Sequence, residues 1–261
     1  MNIVAIIPAR MASTRFPGKP MALIHGIPMI GHVYFRVRRS RAVRQTYVAT
    51  CDVEIANYIH SIGGKAIMTS DQHERCSDRT AEAMLKIESQ SGQKVDIVVM
   101  VQGDEPMTEP GMIDEALTPM LQNSYLNIVN LMGVIKNLED FEDPNEVKVV
   151  VALDGHAIYF SREPIPSRKK WSQAIPMYKQ VPIIPFRRDY LLRFNQLAPT
   201  PLECIESVDM LRILEHGEKV LMVETKFETV SVDTPEDLQI VTTLMLTDRL
   251  RHEYGGPSER E

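Results

Sequence analysis

Short apolar runs alternate with amphipathic stretches through the first half of the chain. Residues 3–8 form a continuous apolar run and predict a buried strand, while residues 29–39 place apolar side chains near helical spacing. The alternation continues with a strand over 46–50, a helix over 53–62, a Gly63-Gly64 break and a strand over 65–69. A helix over 79–88, a buried strand over 96–101 and a helix over 111–121 follow. Strands alternating with helices predict an α/β fold: a mostly parallel, Rossmann-like central sheet with helices on both faces. Such sheets bind ligands at the carboxyl ends of their strands.

The second half breaks this rhythm. Residues 147–153 and 156–160 flank Asp154-Gly155, a hairpin signal, and predict antiparallel strands. The proline-rich stretch over 163–185 reads as an irregular excursion. Helices are predicted over 188–196 and 202–216, with Gly217 as C-cap of the second. A strand over 219–223 follows, then a helix over 235–245 introduced by Thr234-Pro235-Glu236-Asp237. The domain reading is one unit over 1–250 with an excursion at about 135–200, and a polar, frayed tail over 251–261.

Composition adds exclusions. Among 261 residues, 44% are apolar and 25% charged, as expected of a globular chain with a real core. A net charge of −6 gives no global attraction to nucleic acid or anionic membrane, so an anionic ligand needs a local cationic cluster. Arg36, Arg38, Arg39, Arg41 and Arg44 gather at a predicted helix end, where the dipole and solvent favour cations; a solvated face explains them better than a nucleic-acid patch. The three cysteines, Cys51, Cys76 and Cys204, lie far apart and have no metal-ligand spacing. The opening apolar run lacks a basic leader and is too short to span a bilayer, which makes the cytoplasm the expected location.

Three segments carry chemistry. The first strand runs into a loop holding Arg10, Ser13, Thr14, Arg15 and Lys19; guanidinium and ammonium groups at a strand's carboxyl end suit a polyphosphate. The glycine spacing is not that of a Walker A loop. A solvated loop with scattered charges is the plain alternative. The strand over 96–101 ends in Gln102-Gly103-Asp104-Glu105-Pro106, where Asp104 is placed to hold a hard divalent cation and Gly103 to let backbone approach a ligand. An ordinary turn with solvated acids fits that segment equally well. Asp233, in Val232-Asp233-Thr234-Pro235, reads by itself as a helix cap. Two aspartates at the ends of separate strands, opposite a cationic loop, would make a magnesium site bridged by a triphosphate.

In order along the chain, several segments resemble the 3-deoxy-manno-octulosonate (Kdo) cytidylyltransferases, or CMP-Kdo synthetases. They are Ile6-Ile7-Pro8-Ala9-Arg10 with Ser13, Arg15 and Pro17-Gly18-Lys19-Pro20; Tyr47-Val48-Ala49-Thr50; and Val101-Gln102-Gly103-Asp104-Glu105-Pro106. Asp143-Pro144-Asn145, Tyr159-Phe160-Ser161-Arg162, Pro201-Leu202-Glu203 with Glu206, and Val232-Asp233-Thr234-Pro235-Glu236-Asp237 complete the set. The resemblance implies a nucleotide-diphospho-sugar transferase fold with a small antiparallel dimerisation lobe, a magnesium-dependent enzyme and a homodimer. It implies transfer of CMP from CTP to the anomeric hydroxyl of Kdo or a close derivative, releasing pyrophosphate, for lipopolysaccharide or capsule. Arg10, Lys19, Asp104 and Asp233 are then catalytic, with Asp104 and Asp233 on magnesium. Ala9, Arg10, Ser13, Arg15, Lys19, Ser77 and Arg79 face the nucleotide, and Gln102, Arg162, Gln180 and Glu206 the sugar.

The chain departs from the family pattern in two places. Where the family carries His-x-Ser-Gly-Thr-Glu-Arg, this sequence has His73-Glu74-Arg75-Cys76-Ser77-Asp78-Arg79. Where the family carries Arg-His-Leu-Gly-Ile-Tyr-Gly-Tyr, it has Lys179-Gln180-Val181-Pro182-Ile183-Ile184-Pro185-Phe186. An aspartate that usually follows Ala-Thr is Cys51, read as a small buried filler, with Asp52 beside it. The lost hydrogen-bonding groups point to altered sugar selection. The same transfer to 8-amino-Kdo or another keto-acid sugar therefore stands as the second reading, and a non-catalytic nucleotide-binding relative as the third.

Overall fold

The computed structural model describes residues 1–12, 15–169, 176–228 and 230–254. β1 (Ile3–Ala9) is buried at every position, because it lies mid-sheet with packing on both faces, and such strands read as unbroken apolar runs. A turn at Lys19–Met21 leads to the short hairpin β2 (Leu23–Ile24) and β3 (Ile27–Pro28), then to α1 (Met29–Val37). β4 (Gln45–Thr50), α2 (Val53–Ser61), β5 (Ala66–Met68), α3 (Cys76–Ser91), β6 (Ile97–Val101) and α4 (Pro110–Gln122) follow. β1 pairs in parallel with β4 and β6, and β5 pairs in parallel with β4, as the alternating pattern predicts.

The second half builds a second sheet. Its elements are β7 (Val129–Ile135), α5 (Leu138–Glu142), β8 (Lys148–Val151), β9 (Ala157–Ser161) and β10 (Met177–Val181). After them come β11 (Ile183–Arg187), α6 (Arg188–Phe194), α7 (Pro201–Glu206), α8 (Met210–Glu215), β12 (Leu221–Glu224), α9 (Pro235–Leu244) and α10 (Arg249–Tyr254). The strand order is β12-β7-β10-β8-β9, antiparallel except where β12 runs parallel to β7. Only Pro182 separates β10 from β11, and β11 crosses into the first sheet, antiparallel to β6 at its edge. The expected small antiparallel lobe is thus a five-stranded sheet joined to the first.

Two apolar clusters sandwich the first sheet. Val4, Ile6, Val98 and Met100 face Met84 and Ile87 of α3 together with Phe186 and Phe194. Ile3, Ala5, Ile7, Ile97 and Val99 face Val33, Ile59, Met112 and Leu117. Alternate residues of β1 and β6 enter opposite clusters, which follows from the two-residue strand period. Each fully buried side chain of this size contributes roughly 1.5–3 kcal/mol. The sheet edge that carries the loops is therefore rigid.

Several sequence expectations need correction. The proline-rich stretch is not wholly irregular: 177–181 and 183–187 are strands, and Pro185 is accepted because β11 is an edge strand. The helix expected over 202–216 is two, broken by Ser207 in the left-handed region at φ 54°. Gly217, at φ 77°, closes the second as expected, its N–H donating to the Leu214 carbonyl. Arg36 is fully buried, not solvated, and pairs with Asp248 and Glu109. Residues 252–254, expected to fray, are helical; the Tyr254 hydroxyl bonds His32 Nδ1 at 2.8 Å and accepts from Arg36 Nε at 3.0 Å. No helix among the described residues is long and apolar enough to cross a membrane.

Candidate active site

β1 and β6 are parallel neighbours, so the loops that follow them leave the same edge of the sheet. Gly18 adopts φ 75°, a conformation that costs glycine little, and its N–H donates to the Met11 carbonyl at 3.0 Å. This turn directs the Lys19 side chain inward. Lys19 Nζ donates to Asp104 Oδ2 at 2.9 Å, to the Val232 carbonyl at 2.8 Å and to Asp233 Oδ1 at 3.2 Å. Burial alone would lower the lysine's pKa, but Asp104 and Asp233 together carry it above the usual lysine value. Lys19 is a fixed cation.

Asp233 is not the helix cap. Thr234 is the N-cap of α9; its hydroxyl accepts from the Asp237 N–H at 3.2 Å. The Asp237 carboxylate in turn accepts from the N–H groups of Asp233 (2.9 Å) and Thr234 (2.8 Å). Capping is complete without Asp233, whose carboxylate meets Lys19 and, at 2.9 Å, Arg15 Nη2. Nor does Asp233 end a strand: it lies in an extended segment held where the Val232 N–H donates to the Asp104 carbonyl at 2.9 Å. That bond brings the two aspartates together.

The residues present suit a hard divalent cation. Asp104 Oδ1 is buried and has no hydrogen-bond partner. Lys19 already balances charge between the two carboxylates. Among the described residues no group of three or more His, Cys, Asp or Glu side chains is arranged to hold a metal. Two carboxylates with room for phosphate and water is the way magnesium is usually held.

Two cavities meet here. The larger, about 420 Å³, is lined by Ala9, Arg10, Lys19, Arg79 and Gly103 among others. The second, about 240 Å³, is lined by Arg162, Lys179, Gln180, Pro182 and Ile184. Arg15, Arg75, Gln102, Asp104 and Asp233 line both. The structure thus joins Ala9, Arg10, Arg15, Lys19 and Arg79 around one space, and Gln102, Arg162 and Gln180 around the next. Ser13 lies outside the described residues.

Two expected site residues serve differently. Ser77 is fully buried, lines neither cavity and donates to Asp209 Oδ2 at 3.0 Å. The Glu206 carboxylate also lines neither; it accepts from Ser161 Oγ (2.8 Å), Tyr159 OH (3.2 Å) and the Arg162 N–H (2.8 Å). Gly103 lines the larger cavity and also packs closely within the protein: an added Cβ would lie 3.1 Å from the Pro8 carbonyl oxygen and 3.2 Å from Ile30 Cδ1. Cys51 is half-buried beside Asp52, and Asp52 accepts from the Met11 N–H at 2.8 Å, anchoring the cationic loop.

Sequence reasoning passed over other lining groups. Glu105 is 4% exposed, and burial first, then the charge of Asp104, pushes its carboxyl well above the usual range. Glu146 pairs with Lys179 at 2.7 Å beside it. Asn145 accepts from Arg15. Cys76 lines both cavities, and burial pushes its thiol up to about 12, so it is not a thiolate. The signal for Glu105 and Asn145 was their place inside the motifs already noted.

A mostly parallel α/β sheet whose cationic loop meets two aspartates at a cleft is the arrangement of a nucleotidyltransferase. The comparisons narrow the class. A family model described as cytidylyltransferase matches residues 4–220. The 3-deoxy-manno-octulosonate cytidylyltransferase of Geobacter metallireducens is 46% identical, covering 92% of this chain and 96% of the relative; that of Geotalea uraniireducens is 47% identical, covering 92% and 98%. A solved CMP:2-keto-3-deoxy-manno-octonic acid synthetase, complexed with CTP, superposes with a TM-score of 0.85 at 38% identity, covering 94% of this chain and 99% of that one. The chain belongs to the 3-deoxy-manno-octulosonate cytidylyltransferase family.

Proposed function

We propose that this chain transfers CMP from CTP to the anomeric hydroxyl of 3-deoxy-manno-octulosonate or a close derivative. The observation that carries the reading is the Lys19–Asp104–Asp233 cluster at the junction of two cavities, in a chain that shares its family's fold over most of its length. The larger cavity takes the nucleotide, with Arg10, Arg15 and Lys19 toward the triphosphate. The smaller takes the acidic sugar, with Gln102 and Arg162 on its wall.

Asp104 and Asp233 would hold magnesium, which neutralises phosphate charge when bound. The chain's own residues do the rest. Lys19 and Arg10 offset charge on the departing phosphates, and the rigid sheet edge keeps nucleotide and acceptor aligned. The anomeric oxygen bonds to the α-phosphorus and gives up its proton to solvent, the bond to the bridging oxygen breaks, and pyrophosphate leaves. A homodimer and a cytoplasmic location complete the proposal.

A second reading keeps the reaction and changes the acid. Gln180 spends its amide on Asn130 Oδ1 at 2.6 Å, and Met100, Pro182 and Ile184 give the smaller cavity an apolar side. These groups suit an acceptor that presents fewer or different hydroxyls to that side, such as 8-amino-Kdo or another keto-acid sugar. The test is pyrophosphate release with magnesium and each ribonucleoside triphosphate against Kdo, 8-amino-Kdo and sialic acid. Release with CTP and Kdo supports the first reading, and release with CTP and another acid alone supports the second. CTP binding with no release from any acid would oppose both and favour a non-catalytic relative.

A further inference from the structure

Among the described residues, four cations line the smaller cavity: Arg15, Arg75, Arg162 and Lys179. Three of them are tied down. Arg15 bonds Asp233 with one terminal nitrogen and Asn145 with the other. Lys179 is paired with Glu146 at 2.7 Å. Arg162 donates from Nε to the Glu206 carbonyl at 2.7 Å and from Nη1 to the Pro144 carbonyl at 2.9 Å. These two bonds to backbone hold its Nε and Nη1 against the wall and leave Nη2 over.

Arg75 differs. Its Nη1 donates to Asp209 Oδ1 at 3.0 Å, while Nη2 lies 3.7 Å from Glu203 Oε1, beyond hydrogen-bond range. Both Glu203 oxygens already accept from Arg212, at 2.6 and 2.7 Å. Asp209 keeps the Ser77 hydroxyl at 3.0 Å whatever Arg75 does. Arg75 can therefore turn the free edge of its fork to an anion without stranding a buried carboxylate. It lines both cavities, and its side chain is 26% exposed.

We propose that Arg75 is a specificity-determining residue that pairs with the carboxylate of the acidic acceptor. This rests on the cytidylyltransferase reading. The planar guanidinium suits a carboxylate, and its bond to Asp209 holds it in place before the substrate arrives.

The test is calorimetric binding of 2-deoxy-Kdo, which keeps the carboxylate but lacks the attacking hydroxyl, and of its C1 carboxamide. Both are titrated into wild type, Arg75→Ser and Arg75→Lys in the presence of CTP. CTP binding itself is measured in each protein. Wild type is expected to prefer the acid, and Arg75→Ser to bind it roughly 100-fold more weakly, with CTP affinity within about threefold of wild type. Arg75→Ser should also treat acid and carboxamide alike, and Arg75→Lys should recover part of the preference. An unchanged acid affinity in Arg75→Ser, or an equal loss of CTP affinity, would overturn the assignment. If wild type binds CTP but not the acid, the Kdo-like acceptor reading falls, and this role for Arg75 falls with it.

Discussion

Lys19 Nζ lies 2.9 Å from Asp104 Oδ2, and the same ammonium is 3.2 Å from Asp233 Oδ1. The lysine therefore holds together two carboxylates that would otherwise repel. Lys19→Met should abolish most turnover, by about 100-fold or more, since the proposed contact to phosphate and the brace between the two aspartates would both be lost. It should also strengthen binding of magnesium alone, because a positive charge is removed from beside the two carboxylates. Titration of magnesium without nucleotide checks this, and equal or weaker affinity in the variant would argue against a metal between the aspartates.

The Thr234 cap connects stability to the site. Thr234→Ala removes the hydroxyl that accepts from the Asp237 N–H and should cost about 1 kcal/mol. Loss of the box also loosens the Asp237 carboxylate that holds the Asp233 N–H, so turnover should fall more than the small stability loss explains. Urea unfolding and pyrophosphate release, measured on the same variant, separate the two effects.

Glu203 and Arg212 form a buried bidentate pair, with Glu203 fully buried. Arg212→Ala leaves a carboxylate uncompensated and should lower unfolding free energy by about 3–5 kcal/mol. A shift of the urea midpoint at unchanged slope would show it. Replacing both partners, as Glu203→Gln with Arg212→Met, should restore much of the loss.

His32 gives the fold a pH dependence. It is fully buried; burial depresses its pKa to about 4, Arg36 adds to the depression, and the bond to the Ile24 carbonyl opposes it. The unfolded chain takes up a proton near pH 6.5, whereas the folded chain does so only near 4. Unfolding free energy should therefore fall as pH drops below 6.5, by about 2 kcal/mol at pH 5. His32→Gln should flatten this slope; an identical slope in both proteins would contradict it.

Legibility followed the physics of each segment. β1, β4 and β6 were plain because buried parallel strands are unbroken apolar runs, and α9 because Thr234-Pro235-Glu236-Asp237 carries its own capping chemistry. β7 went unread: Asn130 and Gly133 interrupt its pattern, and buried Asn130 is satisfied by the Leu131 carbonyl and by Val181 and Gln180 of the neighbouring β10. β10 and β11 were hidden by prolines: Pro176 and Pro182 flank β10, and Pro185 lies in β11, which tolerates it as an edge strand. In the site, the motifs named Lys19, Asp104 and Asp233, which the structure brings together. They did not reveal that the Glu206 carboxylate is spent on Ser161 and Tyr159, since no periodicity encodes a tertiary bracket.

Phosphorus NMR of the enzyme with CTP, magnesium and Kdo tests the central claim most directly. The account predicts one pyrophosphate and one CMP phosphodiester of the acid for each CTP consumed, both absent when Kdo is omitted. Inorganic phosphate with a CDP-linked product, or consumption of CTP with no phosphodiester of Kdo, would contradict attack by this acid at the α-phosphorus.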